Sequence, residues 1–364
     1  MAIKKFKKLK KEEKIFVVLV VLLLTVSFLN LAQTRGWFIP PQPGVSISNG
    51  VVRLNSMNLE QKIAQMIVVQ GDVTHMQAWK NMQLGGVHLF GRKSASVFRN
   101  TVLDFQYEQP IPFFVTVDLE GCVNPFGYFQ NFTAASEIDN LGDAFEKGFR
   151  EGEFLQNLGI NLNFAPVVDL EDNIWKCRTF PGNESAIAEF AQGYILGLQS
   201  QNVIATIKHY PGKTLVVRDP HKFIVAADIA EDDIFPYGYL FDKGDVGAVM
   251  VSHIIVTGEV DSEGVPSVVS KKILGDIRED YEGLIISDEI HMLGLKNFYE
   301  TLDEMYIAVF KAGNDVILNF DNNPNEIHRM IQVVKEAVER GKLSEQEIDA
   351  SVTRILKAKG FSVR

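Results

Sequence analysis

The chain has 364 residues, a net charge of −10 and a composition ordinary for a globular protein. That length suffices for one large core or two ordinary domains, and an α/β barrel uses about 250 residues as a single domain. The charge is uneven: the first 14 residues carry seven lysines and two glutamates, so the remainder holds an excess of 15 negative charges. An acidic body with no basic stripe argues against nucleic acid as a partner.

The basic tail 1–14 is followed by IFVVLVVLLLTVSFLNLA at 15–32, a run without charge. As a helix it spans about 27 Å, enough for a thin bilayer. Lysines before it belong in the cytoplasm, which makes the protein single-pass in the cell membrane with its body outside. A cleaved signal peptide and a secreted body is the alternative, although such an apolar region would be long and no small-x-small site precedes Gln33. Segment 33–50, which contains PPQPG, reads as a linker, and 51–364 as the barrel domain.

Beyond residue 60, continuous apolar runs alternate with longer amphipathic stretches. The runs fall at 63–69, 85–90, 112–117, 161–168, 203–210, 248–256, 283–288 and 316–320. Their continuity suits strands covered on both faces. Helical character marks 94–107, 136–158, 186–200, 270–282, 302–312 and 344–359, while the first crossover, near 76–84, is short. The last of these opens on Ser-Glu-Gln-Glu, a capping box. Eight β–α units predict a (β/α)₈ barrel, with an open doubly wound sheet as the alternative. No Gly-x-Gly-x-x-Gly or Gly-x-x-x-x-Gly-Lys loop is present, which counts against nucleotide binding.

Barrel chemistry sits at the C-terminal ends of the strands. There the chain places Asp118 and Glu120 after strand 3, Asp169 after strand 4 with Arg178 in its loop, and Lys208 and His209 on strand 5. Asp219 and His221 follow in a long loop, and Asp288, with Glu289 and His291 beyond it, ends strand 7. His253 is either a core histidine or a site wall; His88 reads as structural, Met292 as packing, and Glu289 and Asp321 as helix caps. Cys122 and Cys177, both above strand ends, admit either a disulfide in an oxidising compartment or two separate thiols. An Asp-x-His pair orients an imidazole, and a carboxylate at a strand terminus can attack. Metal hydrolysis is the rival, but the His-x-His common on strand 1 of such barrels is absent.

Six motifs, in order, resemble glycoside hydrolase family 3, in particular its single-domain β-N-acetylglucosaminidase branch. They are KIAQMIVV with GGVHLF, NLGINLNFAPVVDL, RTFPGNE, GYILGLQSQNVIATIKHYPG, EGLIISDEIHMLGL and IDASVTRILKAKG, and the likeness covers 58–359. The resemblance implies a retaining mechanism in which Asp288 is the nucleophile of a covalent glycosyl-enzyme. It implies that Lys208, His209, Arg178 and Asp118 bind the terminal sugar. It also implies that His221 is the acid/base, partnered by Asp219.

Two loops depart from the family pattern. Where the family has Asp-x-Glu-Gly-Gly-Arg-Val-x-Arg, the chain reads DLEGCVNPF; both arginines are gone and Cys122 replaces the second glycine. Where the family loop opens Gly-His-Gly-Asp-Thr, it reads GKTLV, and Pro220 stands inside the dyad. The expected activity is an exo-acting β-N-acetylhexosaminidase that needs no cofactor and takes a terminal amino sugar from cell-wall (peptidoglycan) fragments or related glycans. The alternatives are a β-glucosidase-like relative and an inactive, membrane-tethered carbohydrate-binding protein. A β-glucosidase of this family generally draws its acid/base from outside the barrel, so the Asp219–His221 pair favours the amino-sugar branch.

Overall fold

The computed structural model describes residues 10–213 and 224–364. Eight parallel strands form one sheet: β1 Ile67–Gln70, β2 Gly86–His88, β3 Phe114–Val117, β4 Leu162–Asn163, β5 Ile204–Tyr210, β6 Ala248–Val251, β7 Leu284–Ser287 and β8 Ile317–Asn319. Ladders join β7 through β6, β5 and on to β1, and then β1 to β8. The last seam, β7 to β8, closes on one parallel bridge between Ile286 and Val316. The Ser287 amide reinforces it by donating to the Val316 carbonyl at 2.8 Å. The expected barrel is therefore present and nearly closed, and the open doubly wound sheet is not. β3, β6 and β7 are buried at every position, as strands beneath a coat of helices must be.

Two of the apolar runs divide. Run 63–69 begins as the end of a helix, Leu59–Gln65, and becomes strand only at Ile67. The cause lies upstream. Asn58 and Gln61 form a capping box, with reciprocal bonds of 2.8 and 2.9 Å, that starts the helix just before the run. Run 248–256 breaks at Ser252, whose amide and hydroxyl both donate to the Tyr210 carbonyl at 3.0 Å. Its second half, Ile255–Gly258, pairs with Ala226–Ile229 in a separate two-stranded parallel sheet. Periodicity could not show this, because the apolar character continues through the break.

The expected helices appear at Met76–Met82, Ala95–Gln106, Leu141–Leu158, Glu184–Gln199, Lys271–Asp280, Leu302–Ala312 and Glu345–Ala358. Two more, Glu231–Lys243 and Pro324–Glu339, complete the coat. The apolar N-terminal run lies in a helix, Lys11–Thr34, in which only Ala32 is buried. That helix meets the barrel at its last turn, where the Asn325 side-chain amide donates to the Gln33 carbonyl at 2.7 Å.

The segment beyond it is packed rather than slack. Asn81 and Gln61 donate side-chain N–H groups to the carbonyls of Ile39 and Pro43 at 2.9 and 2.7 Å. Ile47–Ser48 then pairs with Val51–Val52, and Ser362–Val363 adds to Val51–Val52 in parallel.

Candidate active site

A cavity of about 410 Å³ opens at the C-terminal ends of the strands. Asp118, Glu120, Arg178, Lys208, His209, His253, Asp288 and Glu289 supply its polar groups; Phe90, Phe164, Trp175 and Phe320 supply aromatic ones. Five of the seven residues singled out from the sequence therefore share one cavity. The other two, Asp219 and His221, lie outside the described residues.

The strand-3 end is pinned from the neighbouring strand. Asn163 on β4 accepts from the Leu119 amide at 2.9 Å and donates to the Leu119 carbonyl at 2.8 Å. This double bond to one residue fixes the turn that carries Asp118 and Glu120 on either side. Asn163 also donates to the Tyr194 hydroxyl at 3.0 Å, and that hydroxyl donates to Glu151 at 2.7 Å. Gly121 then turns with φ of +98°, and a Cβ there would lie 2.2 Å from the Thr133 carbonyl oxygen. Only glycine fits at that point.

Four charges interlock across the loops. The Lys208 ammonium lies 2.6 Å from Asp118 Oδ1 and 2.6 Å from Glu120 Oε1. Arg178 donates to Glu120 through both Nε and Nη2, the latter at 2.9 Å. Buried ions persist only when paired in this way. Burial alone would raise Asp118 and Glu120, but Lys208, aided by His88 at Asp118 and by Arg178 at Glu120, holds both below the usual carboxylate range. Burial would lower Lys208, yet the same two carboxylates keep it above its ordinary value. Asp118 is the one of the four that reaches out, with 35 % of its side chain exposed. It is the member of the set most open to the cavity.

The strand-4 loop is built around Asp172. Its carboxylate accepts the backbone N–H groups of Trp175, Cys177 and Arg178 at 2.8, 3.0 and 3.0 Å. Burial raises Asp172, but these donors bring it below its usual value. The loop sets the Trp175 ring 4.7 Å from the Arg178 guanidinium carbon. Cys177 bonds to Cys122, which resolves the open question of the two cysteines in favour of a disulfide. The bridge joins the strand-3 and strand-4 loops beside the Glu120–Arg178 pair.

Asp288 stands one residue past β7, on the far side of the ring from Asp118. Its amide donates to the Val251 carbonyl at 3.0 Å, and its Oδ1 accepts the Glu289 N–H at 2.7 Å. The first bond fixes the backbone at the strand end and the second orients the carboxylate. Glu289 differs, because its Oε1 accepts from the amides of His291 and Phe320 at 3.0 and 3.1 Å. It braces the β7 and β8 loops rather than capping the following helix, whose N-cap position is Met292. Asp169 is likewise occupied, by the His209 amide at 3.1 Å and the Tyr237 hydroxyl at 3.3 Å.

Lys208 and His209, joined by a cis peptide bond, both line the cavity. His253 is both of the things weighed for it: it lines the cavity, and its Nε2 donates to the Glu289 carbonyl at 2.8 Å. His88 lies beneath the floor, stacked between Phe164 and Phe320, and burial depresses it to about 4. Among the described residues no cluster of three metal-ligating side chains occurs.

Sequence reasoning noted Glu120 but gave it no role. The need of buried Arg178 and Lys208 for a counter-charge was the available signal. Trp175, Phe90 and Phe320 carried none, because an aromatic residue in a loop reads the same on any face.

The chain matches the model of the glycosyl hydrolase family 3 N-terminal domain over residues 58–358. It belongs to glycoside hydrolase family 3. Over 323 residues it is 27 % identical to beta-hexosaminidase LpqI of Mycobacterium tuberculosis, which covers 82 % of each chain. It is 25 % identical over 289 residues to beta-hexosaminidase A of Pseudoalteromonas piscicida, covering 70 % of this chain and 48 % of that one. The chain thus spans about half the length of the second relative. In fold it is similar to the solved structure of M. tuberculosis LpqI, with a TM-score of 0.78 at 23 % identity over 89 % of this chain and 99 % of that one. A family 3 beta-N-acetylglucosaminidase from Paenibacillus sp. gives 0.75 at 24 % identity, covering 84 % and 62 %.

Proposed function

We propose that the protein is a retaining, exo-acting β-N-acetylhexosaminidase that removes terminal β-linked N-acetylglucosamine. The observation that carries this reading is the cavity in which Asp288 faces the Asp118–Lys208–Glu120–Arg178 cluster. Hexosaminidases at 25–29 % identity supply the sugar. Asp118 and Lys208 offer an acceptor and a donor to neighbouring hydroxyls, and the aromatic walls suit the apolar faces of a pyranose.

In the first step an Asp288 oxygen bonds to the anomeric carbon as the glycosidic C–O bond breaks, and His221 gives its proton to the departing oxygen. In the second, water attacks the same carbon, His221 takes the water's proton, and the Asp288 ester bond breaks. Asp219 orients the imidazole. The assignment of the dyad rests on its place in the chain, in the loop that follows β5. Of the nearby acidic side chains, Glu289 in the cavity wall is taken up by backbone amides, and buried Asp169 behind it by His209 and Tyr237.

The same reading places residues 1–14 in the cytoplasm, residues 15–32 in the cell membrane and the barrel domain outside, where the Cys122–Cys177 bond is stable. A cell-wall fragment or a related glycan is then the substrate class. Turnover of chromogenic β-N-acetylglucosaminide and β-glucoside by the same preparation tests the assignment. Selective cleavage of the amino sugar, lost in Asp288→Ala and in His221→Ala, is expected. Folded protein without turnover of either would leave only the carbohydrate-binding alternative.

A further inference from the structure

The apolar helix joins the barrel at a defined height. In a β/α barrel each helix begins at the end where the preceding strand finishes, which is the catalytic end. Asn325, which holds the Gln33 carbonyl, lies in the first turn of Pro324–Glu339, the helix that follows β8. Gly36 turns there with φ of +67°, and a Cβ on it would lie 2.6 Å from the Pro324 Cβ. The junction is therefore close-fitting and sits beside the rim of the pocket. Beyond it the chain leads away from that rim, to Ile47–Ser48 and the small sheet with Ser362–Val363. Trp37 and Phe38 are exposed where the helix ends, a position at which aromatic rings favour the boundary between lipid and water.

The surface next to this junction is apolar in a patterned way. The loops that leave the strands expose Val73, Phe90, Tyr128, Ile174, Trp175 and Leu293, with Tyr128 at 78 % and Val73 at 57 %. These come from the loops after β1, β2, β3, β4 and β7, so they ring the cavity mouth. Exposed apolar side chains also occur elsewhere, Leu103, Phe145, Leu196 and Phe235 on the helical coat and Tyr107 at the opposite end, where the Lys80 ammonium stands 5.6 Å from its ring centre; what marks the catalytic end is that its apolar side chains lie beside the junction with the apolar helix. Large side chains without charge, spread around one end of a barrel, are the pattern of a surface that meets something apolar. The nearest apolar phase is the bilayer that the attached helix enters.

We infer that the catalytic face of the barrel rests on the outer surface of the membrane that holds its own N-terminal helix, so that the pocket takes amino sugars presented at the lipid surface. This rests on the membrane-anchored reading above and deepens it. The helix supplies the tether, the junction at Gly36 and Asn325 sets which face turns down, and the ring of loop side chains makes the contact. Single rings inserted at an interface add modest affinity each, which suffices once a helix holds the protein in place.

The test uses the full chain in phosphatidylcholine–phosphatidylglycerol vesicles whose acyl chains carry bromine near the headgroup. Bromine quenches tryptophan emission at short range. Tyr128→Trp should lose more emission than the parent protein, while Glu279→Trp, at the opposite end of the barrel, should lose no more. Flotation of the vesicles reports anchoring separately, and hydrolysis of a soluble chromogenic substrate reports the enzyme. Protein that floats and hydrolyses, yet shows equal quenching at both positions, would overturn the orientation and leave anchoring and activity standing. Protein that does not float would overturn it together with the anchor. A second variant reads function: Val73→Ser, Tyr128→Ser and Leu293→Ser combined should keep kcat/KM on the soluble substrate. It should lose several-fold on an N-acetylglucosaminyl lipid carried in the vesicles; equal rates on the lipid would count against the contact.

Discussion

Arg178 grips Glu120 through two parallel hydrogen bonds, and both side chains are more than nine-tenths buried. Such a pair contributes little when intact relative to an apolar filling, but loss of one member strands the other. Here the stranded groups would be Arg178 and Lys208 together. Glu120→Ala is therefore expected to lower unfolding free energy by about 3–5 kcal/mol in urea titration. Asp118→Ala should cost less stability, since part of its side chain is already in water, yet should lower kcat/KM more.

Asp288 accepts the Glu289 N–H at 2.7 Å, and its removal leaves the barrel ladder intact. Asp288→Ala should fold with the parent's melting temperature and lose about four orders of magnitude in kcat, the scale on which removal of a nucleophile acts. A loss of activity accompanied by a large fall in melting temperature would argue that the carboxylate is structural.

His88 predicts a pH dependence of stability. Burial lowers its folded-state value from 6.5 to about 4, with Asp118 opposing and Lys208 assisting. Between these values the unfolded chain binds the proton and the folded chain does not. Stability is therefore complete above pH 6.5 and falls as pH drops toward about 4. Asp118 extends the fall further into acid, because its folded-state value is also depressed. Chemical denaturation from pH 7 downward measures this, and His88→Phe should flatten the upper part of the curve.

The disulfide closes a loop of 55 residues. Chain entropy sets its contribution at about 4 kcal/mol, with measured cases commonly lower. Cys122→Ser with Cys177→Ser should lower the melting temperature. It should also raise KM more than it lowers kcat, because the freed loops carry Asp118 and Arg178, proposed to hold the sugar, and Asp288 lies across the barrel. Equal losses in both constants would show that the loops do not position substrate.

The strand ends were legible because a buried parallel strand is a short apolar run, and the first polar residue after it must face the rim. Asp118 and Asp288 followed from that alone, while Lys208 stood out as a charge inside the apolar run of β5. The break in run 248–256 was not legible, since Ile255 and Val256 satisfy a second small sheet as well as they would a longer strand. Pairing was equally hidden. Nothing in the spacing of Glu120 and Arg178, 58 residues apart, joins them; only the fold brings β3 and β4 together. Asn163, a polar residue within β4, holds the turn that carries Glu120 through two bonds to Leu119.

The small sheet at the far end has a consequence for how the protein is made. Val51–Val52 finds its parallel partner in Ser362–Val363, and β1 finds one side of its ladder in β8. The earliest strands are thus completed by the latest. A chain made from its N-terminus onward stays unclosed until nearly all of it is present. Long-range pairing of this kind slows folding.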